Sequence, residues 1–113
     1  MANWHSNTII VETDAETHAN IIAFLRAALK EEGYILDNDL IDDTYENHIY
    51  FRTMYGTPCL HIMERLSSLY PDTAFTYTHF NPYVAGYDYT RKYLNGICIE
   101  TIEEDFFSDV CAE

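Results

Sequence analysis

The apolar positions of this chain change period several times, and each change marks an element. From Asn7 to Thr13, Ile9 and Val11 fall on one side and Thr8 and Ile10 on the other, a β-branched alternation that predicts a strand. The period then lengthens. Ile21, Leu25, Ala28 and Leu29, with His18 and Ile22 beside them, form a stripe at helical spacing. Thr13 and Glu16 stand at capping-box separation, so the threonine hydroxyl accepts from the backbone three residues on while Glu16 reaches back. Gly33 offers the left-handed stop, and a helix is expected over 14–32.

Between Tyr34 and Asp43 the apolar residues come in pairs, Ile35-Leu36 and Leu40-Ile41, which suit neither period. A short, acid-studded edge strand or loop is expected there, its charge guarding against edge-to-edge pairing. His48 to Met54 alternates again as a strand. Thr57-Pro58 reads as an N-cap followed by proline at the first helical position. Cys59, Ile62, Met63, Leu66 and Leu69 then make the stripe of a second helix, which Pro71 closes. Strands are expected over 74–80, 87–94 and 97–102, with a turn around Asn81 to Gly86. Asn95-Gly96 is the residue pair of a type I′ hairpin turn. The acidic tail is read as irregular or a short helical turn, docked by Phe106 and Phe107. The order β-α-β-β-α-β with an extra C-terminal hairpin predicts an α+β fold of the ferredoxin-like, split βαβ type. Its antiparallel sheet carries two helices on one face, in a single domain over 1–113.

Charge changes the picture. Nineteen Asp and Glu stand against six Lys and Arg, a net charge of -13 on 113 residues, yet 48% of residues are apolar and 15% aromatic. That apolar content builds a core, so the acidity belongs to a folded domain. The excess is clustered: Glu31, Glu32, Asp37, Asp39, Asp42, Asp43 and Glu46 form one run, and Glu100, Glu103, Glu104, Asp105, Asp109 and Glu113 another, neither containing Lys or Arg. Such a surface repels nucleic acid and anionic membranes and attracts the basic grooves with which other proteins hold DNA or RNA. The candidate partner-binding residues are therefore Glu31, Glu32, Asp37, Asp39, Asp42, Asp43 and Glu46, with Tyr34 and Tyr45 as aromatic anchors and Glu103, Glu104 and Asp105 as a second patch.

Ten tyrosines are too many for so small a core, and those that reach the surface suit an interface. A nucleic-acid-stacking role for Tyr83 to Tyr93 conflicts with the scarcity of basic residues. Cys59, Cys98 and Cys111 are odd in number and widely spaced, which argues for free thiols in a reducing cytoplasm. The start Met1-Ala2-Asn3-Trp4-His5 has neither the basic residues nor the apolar run of a secretory signal, and no run approaches the roughly 20 apolar residues of a membrane span.

Catalytic chemistry leaves no signature. The histidines His5, His18, His48, His61 and His79 are scattered, and His61 with Glu64 and Cys59 lacks further ligands at metal-binding spacing. Asp37-x-Asp39-x-x-Asp42-Asp43 lacks the glycine and closing glutamate of a calcium loop. No nucleophile elbow, phosphate loop or dinucleotide fingerprint occurs. A non-enzymatic protein with no catalytic residues, metal or cofactor is expected.

The chain also resembles a known family. Ala2-Asn3-Trp4-His5-Ser6-Asn7 leading into the first strand, the helix after Asp14, Thr57-Pro58, Leu66-Ser67-Ser68-Leu69-Tyr70-Pro71-Asp72, the Gly86 turn and Asn95-Gly96 resemble the YubB-type ferredoxin-like domains of phages, plasmids and other mobile elements. Between Gly33 and His48 the chain is shorter than such domains and lacks their tryptophan-rich segment. The resemblance implies a mobile-element origin and supplies no catalytic residues. By analogy, a small acidic protein of that origin is expected to inhibit host defence in the bacterial cytoplasm. The expected partner is a host protein with a basic nucleic-acid-binding surface, such as a CRISPR effector complex or a nuclease, bound anti-CRISPR fashion by a DNA-mimic carboxylate surface, with no direct contact to nucleic acid or membrane. The alternative is an accessory domain acting through tyrosines without mimicry, or self-associating as a homodimer through an exposed sheet edge.

Overall fold

A strand whose inward positions are Ile9, Asn7 and His5 organises the fold. The computed structural model describes residues 4–54, 58–81 and 87–104. In chain order these form β1 (Trp4–Ile10), α1 (Ala15–Glu31), a 3₁₀ turn (Asp37–Asp39), β2 (His48–Met54), α2 (Leu60–Leu69), β3 (Phe75–Asn81), β4 (Tyr87–Leu94) and β5 (Ile97–Glu104). The sheet order is β2-β1-β3-β4-β5, antiparallel throughout. Since β2 and β3 both run against β1, they are parallel to one another, and α2 joins them across it. That is the split βαβ unit.

The segment after α1 completes the ferredoxin-like pattern. It runs along the outer edge of β2, bridging Leu36 to Thr53 and Asp42 to Tyr50, with the 3₁₀ turn between. Counted as an interrupted edge strand, it restores the β-α-β-β-α-β order, and β4 and β5 extend the sheet beyond β3. Its apolar pairs divide between core and solvent: Ile41 is buried and Leu36 packs on the core, whereas Ile35 and Leu40 are exposed.

Several boundaries differ from expectation, each for a local reason. β1 begins at Trp4 rather than Asn7, because Trp4, His5 and Ser6 pair with Met54, Thr53 and Arg52. α1 is capped one residue later than the Thr13–Glu16 box suggests. Asp14 Oδ1 accepts from the Thr17 backbone at 2.7 Å and Oδ2 from the Thr17 hydroxyl at 3.0 Å, and these bonds hold the Asp14 carboxyl below its ordinary range. At the far end Gly33, at φ +85°, and Tyr34, whose N–H bonds Leu29 O at 2.9 Å, stop the helix as expected. α2 starts at Leu60, with Cys59 at the cap and no side-chain capping bond. Thr57, the expected cap, the Asn81 to Gly86 turn beyond its first residue, and Phe106 and Phe107 lie outside the described residues. Leu69 closes α2 and is exposed, while Ser67 is buried.

One core fills the space between the sheet and both helices. Ile9, Ile49, Phe51, Phe75, Tyr77 and Tyr93 meet Ile21, Leu25 and Leu29 of α1 and Ile62, Met63 and Leu66 of α2. Burying each such side chain contributes on the order of 1.5–3 kcal/mol. No described helix is long and apolar enough to cross a membrane.

The β4–β5 turn is tied to α2. Asn95 at φ 51° and Gly96 at φ 78° adopt the left-handed pair of a type I′ turn, and the Gly96 N–H donates to Ser67 Oγ at 2.9 Å. A methyl group at Gly96 collides with Ser68 Oγ and strains the positive φ. Gly96→Ala is therefore expected to lower stability by about 1–3 kcal/mol in denaturant unfolding. Adding Ser68→Ala should restore part of that loss, by relieving the collision and leaving the strain.

Candidate functional site

Two polar assemblies stand out, one outside the sheet edge and one inside the fold. The outer one contains the acidic run. Asn38 and Asp39 turn the chain with φ of 55° and 56°, which short polar side chains tolerate, and the turn projects carboxylates beside β2. Arg52 of β2 pairs with Asp37, whose side chain is largely covered. Arg26 of α1 donates to the Asp39 carbonyl at 2.8 Å and lies 3.8 Å from its carboxylate. Arg65 of α2 lies over the Phe24 ring at 5.4 Å and reaches Glu32 at 3.0 Å and Glu31 at 3.5 Å, with His61 also on Glu32 at 3.1 Å. Asp42 Oδ1 accepts from the Thr44 backbone at 2.9 Å, and the contacts with Thr44 hold its carboxyl below the usual range. Asp43 lies 3.5 Å from His18.

The structure thus strings Glu31, Glu32, Asp37, Asp39, Asp42, Asp43 and Glu46 from the end of α1 along the edge of β2, seven carboxylates with Arg26, Arg52 and Arg65 among them. Tyr45 belongs to this surface and is 73% exposed, whereas Tyr34 packs on the core. Glu103 and Glu104 lie in β5, at the opposite edge. Four inter-strand steps of about 4.8 Å separate the two edges, roughly 19 Å. Glu103 and Glu104 thus stand on a different edge strand from the one that the first acidic run borders. Asp105 lies outside the described residues.

The inner assembly was not foreseen from the sequence. On the helix-facing side of β1, Asn7 is fully buried, and its Oδ1 accepts from the Tyr77 hydroxyl at 2.5 Å and faces His79 Nδ1 at 3.1 Å. Its Nδ2 donates to Thr53 Oγ1 at 3.0 Å. His79 Nε2 meets His5 Nδ1 at 3.0 Å, and the Tyr77 oxygen accepts the Cys59 N–H at 2.9 Å. These partners assign the protons: His79 carries one on Nδ1, toward Asn7, and His5 one on Nδ1, toward His79 Nε2. His5 Nε2 is buried without a partner among the described residues.

Burial makes the assembly a poor site for ionic chemistry. Desolvation pushes the Cys59 thiol up to about 11 and the Tyr77 hydroxyl well above its ordinary range, so neither supplies an anionic nucleophile near neutral pH. Desolvation, then the neighbouring His5, lowers His79 to about 4. Among the described residues no three His, Cys, Asp or Glu side chains are grouped to hold a metal ion. The geometry suits a neutral network that ties β1, β2, β3 and the start of α2 together. Its sequence signal was faint: polar His5 and Asn7 stand at positions where the alternation runs inward.

Compared with protein-family models, curated proteins and solved structures, the chain matches none. The resemblance to YubB-type domains rests on the sequence motifs that carry it, most of them turn and cap residues.

The buried histidine gives a pH dependence. An unfolded histidine takes up its proton near pH 6.5, but folded His79 only near 4, so between those values the unfolded state binds more protons. This contribution to stability is full above pH 6.5 and is lost as pH falls toward 4. In urea unfolding across that interval the wild type should lose stability more steeply than His79→Gln. Equal slopes would contradict a neutral buried His79.

Proposed function

We propose that this chain is a non-enzymatic acidic binding domain, encoded by a phage or another mobile element, that occupies the basic nucleic-acid groove of a host defence protein. A CRISPR effector complex or a nuclease is the class of target. The observation that carries the reading is the row of carboxylates beside β2, with Asp37 and Asp39 paired to Arg52 and Arg26 and Asp42 bridged to Tyr50, which continues from Glu31 and Glu32 on Arg65 at the end of α1. Carboxylates held in a rigid row compete for a partner's arginines because guanidinium pairs with carboxylate and phosphate in the same bidentate geometry. The net charge of -13 adds attraction toward a basic groove and repulsion from nucleic acid itself.

A second reading has its own observation. At the opposite edge, β5 exposes Ile97, Ile99 and Ile102 on an outer strand, which favours strand-edge association, with another copy or another protein, without mimicry. The tyrosine-led version has less support: Tyr77, Tyr89 and Tyr93 are buried, Tyr50 is 37% exposed, and Tyr45 is 73% exposed.

The combined variant Asp37→Asn, Asp39→Asn, Asp42→Asn and Asp43→Asn separates the two. Asparagine keeps a hydrogen-bond acceptor at each position, including the largely covered Asp37 beside Arg52, and exposed ion pairs such as Arg26–Asp39 contribute only about 0–1 kcal/mol each, so the fold should survive. Capture of a nucleic-acid-handling complex from bacterial host lysate should fall at least 100-fold and be reversed in the wild type by salt or competing DNA. Undiminished, salt-resistant capture by the variant would sink the acidic mechanism.

A further inference from the structure

The edge of β2 is not uniform. At its Met54 end the carboxylates meet the chain's own arginines, whereas at its His48 end they border two pockets with no Lys or Arg in their walls. The first pocket, about 360 Å³, lies on the open face of the sheet and is lined by Thr8, Asp42, Tyr45, His48 and Tyr50. Strand register builds it. Thr8 stands opposite Tyr50, and His48 follows two residues before Tyr50 on the same face. Asp42 and Tyr50 exchange backbone hydrogen bonds at 2.7 and 2.8 Å, which carries the Asp42 carboxylate to the rim. The walls are anchored: the Tyr50 hydroxyl shares a 3.1 Å hydrogen bond with Ser6, and His48 Nδ1–H donates to Glu46 O at 2.8 Å. Tyr45 divides this pocket from a neighbour of about 420 Å³ whose walls include His18, Asp43 and Glu46.

Two tyrosines around an ionised carboxylate, on a strongly acidic domain, define a receptor for a flat cation. We propose that the Tyr45–Tyr50 pocket receives an arginine side chain of a protein partner. This deepens the acidic-binding reading and rests on it. The guanidinium plane lies against a tyrosine face while its N–H groups donate to Asp42, a combination that lysine's compact ammonium does not reproduce. Apolar walls remove water from around the pair, so the contact is stronger than an exposed ion pair.

The test titrates the purified domain with a blocked Gly-Arg-Gly-Arg-Gly peptide, followed by NMR of the backbone and tyrosine rings, beside peptides carrying citrulline or lysine in place of arginine. Chemical shifts should concentrate at Thr8 and residues 42–50. The citrulline peptide should bind at least tenfold more weakly and the lysine peptide severalfold more weakly. Tyr45→Ala, at an exposed position, should keep the folded spectrum and lose about tenfold in affinity for the arginine peptide. Equal binding of citrulline and arginine peptides would overturn the proposal. So would wild-type affinity in Tyr45→Ala with shifts centred on Asp37 and Asp39, although the acidic edge would then still stand. If the arginine peptide binds the wild type and the four-aspartate variant equally, or neither, the acidic-binding reading fails with it.

Discussion

The side chain of Asn7 is the constraint on which the rest of the fold depends. It is fully buried in β1, a strand paired on both sides, where an unsatisfied amide costs about 1–3 kcal/mol. Thr53 satisfies it from β2 and Tyr77 from β3, with His79 alongside. A slip of one residue in either pairing turns these partners to the opposite face and leaves the amide among apolar groups. Hydrophobic burial favours any register that hides Ile9, Ile49 and Phe51. The polar network selects one of them, and through Tyr77 it also anchors the Cys59 backbone where α2 begins.

That internal fixation bears on the surface. The acidic segment after α1 is held to β2 by two bridges and the Arg52–Asp37 pair, so its position follows from β2, which in turn follows from β1. Arg26 and Arg52 reach it from two different elements, Arg65 of α2 engages Glu31 and Glu32 at the end of α1, and together they relieve the repulsion among neighbouring carboxylates. The same charges protect the sheet edge, since a second acidic strand is repelled from it. β5 has a different defence problem. Its isoleucines are exposed beside acidic residues, which discourages like-charged copies more than it discourages a basic strand.

Much of this architecture was legible where a period could express it. The stripe Ile21, Leu25, Ala28 and Leu29 gave α1 its length and buried face, and Asn95-Gly96 announced the turn between β4 and β5. What was not legible depended on contacts between distant segments. Polar His5 and Asn7 disguise the first half of β1, because only Thr53, Tyr77 and His79 make their burial favourable. Asp14 displaced Thr13 as a cap because Thr17 offers it two donors. The acidic residues were legible as a composition, but their separation into two edges is a consequence of strand order. The Tyr45 pocket was hidden for the same reason: its floor comes from β1 and its walls from β2 and the preceding turn.

On the proposed reading, the number of carboxylates is a weaker determinant of affinity than their arrangement. Exposed pairs contribute about 0–1 kcal/mol each and are screened over a Debye length of about 8 Å at physiological salt. Asp37, Asp39, Glu31 and Glu32 are already engaged by the domain's own cations, so a partner's arginine must displace or share an existing bond to reach them. At the His48 end no such exchange is required. Asp42 retains acceptor capacity beyond its bonds with Thr44, and Tyr45 and Tyr50 offer apolar faces that bury a guanidinium plane. The long acidic edge then guides a basic surface into approach, and the aromatic pocket supplies the short-range, desolvated contact that holds it. This division assigns association rate to the edge and residence time to Tyr45, the usual partition between long-range charge and a buried anchor.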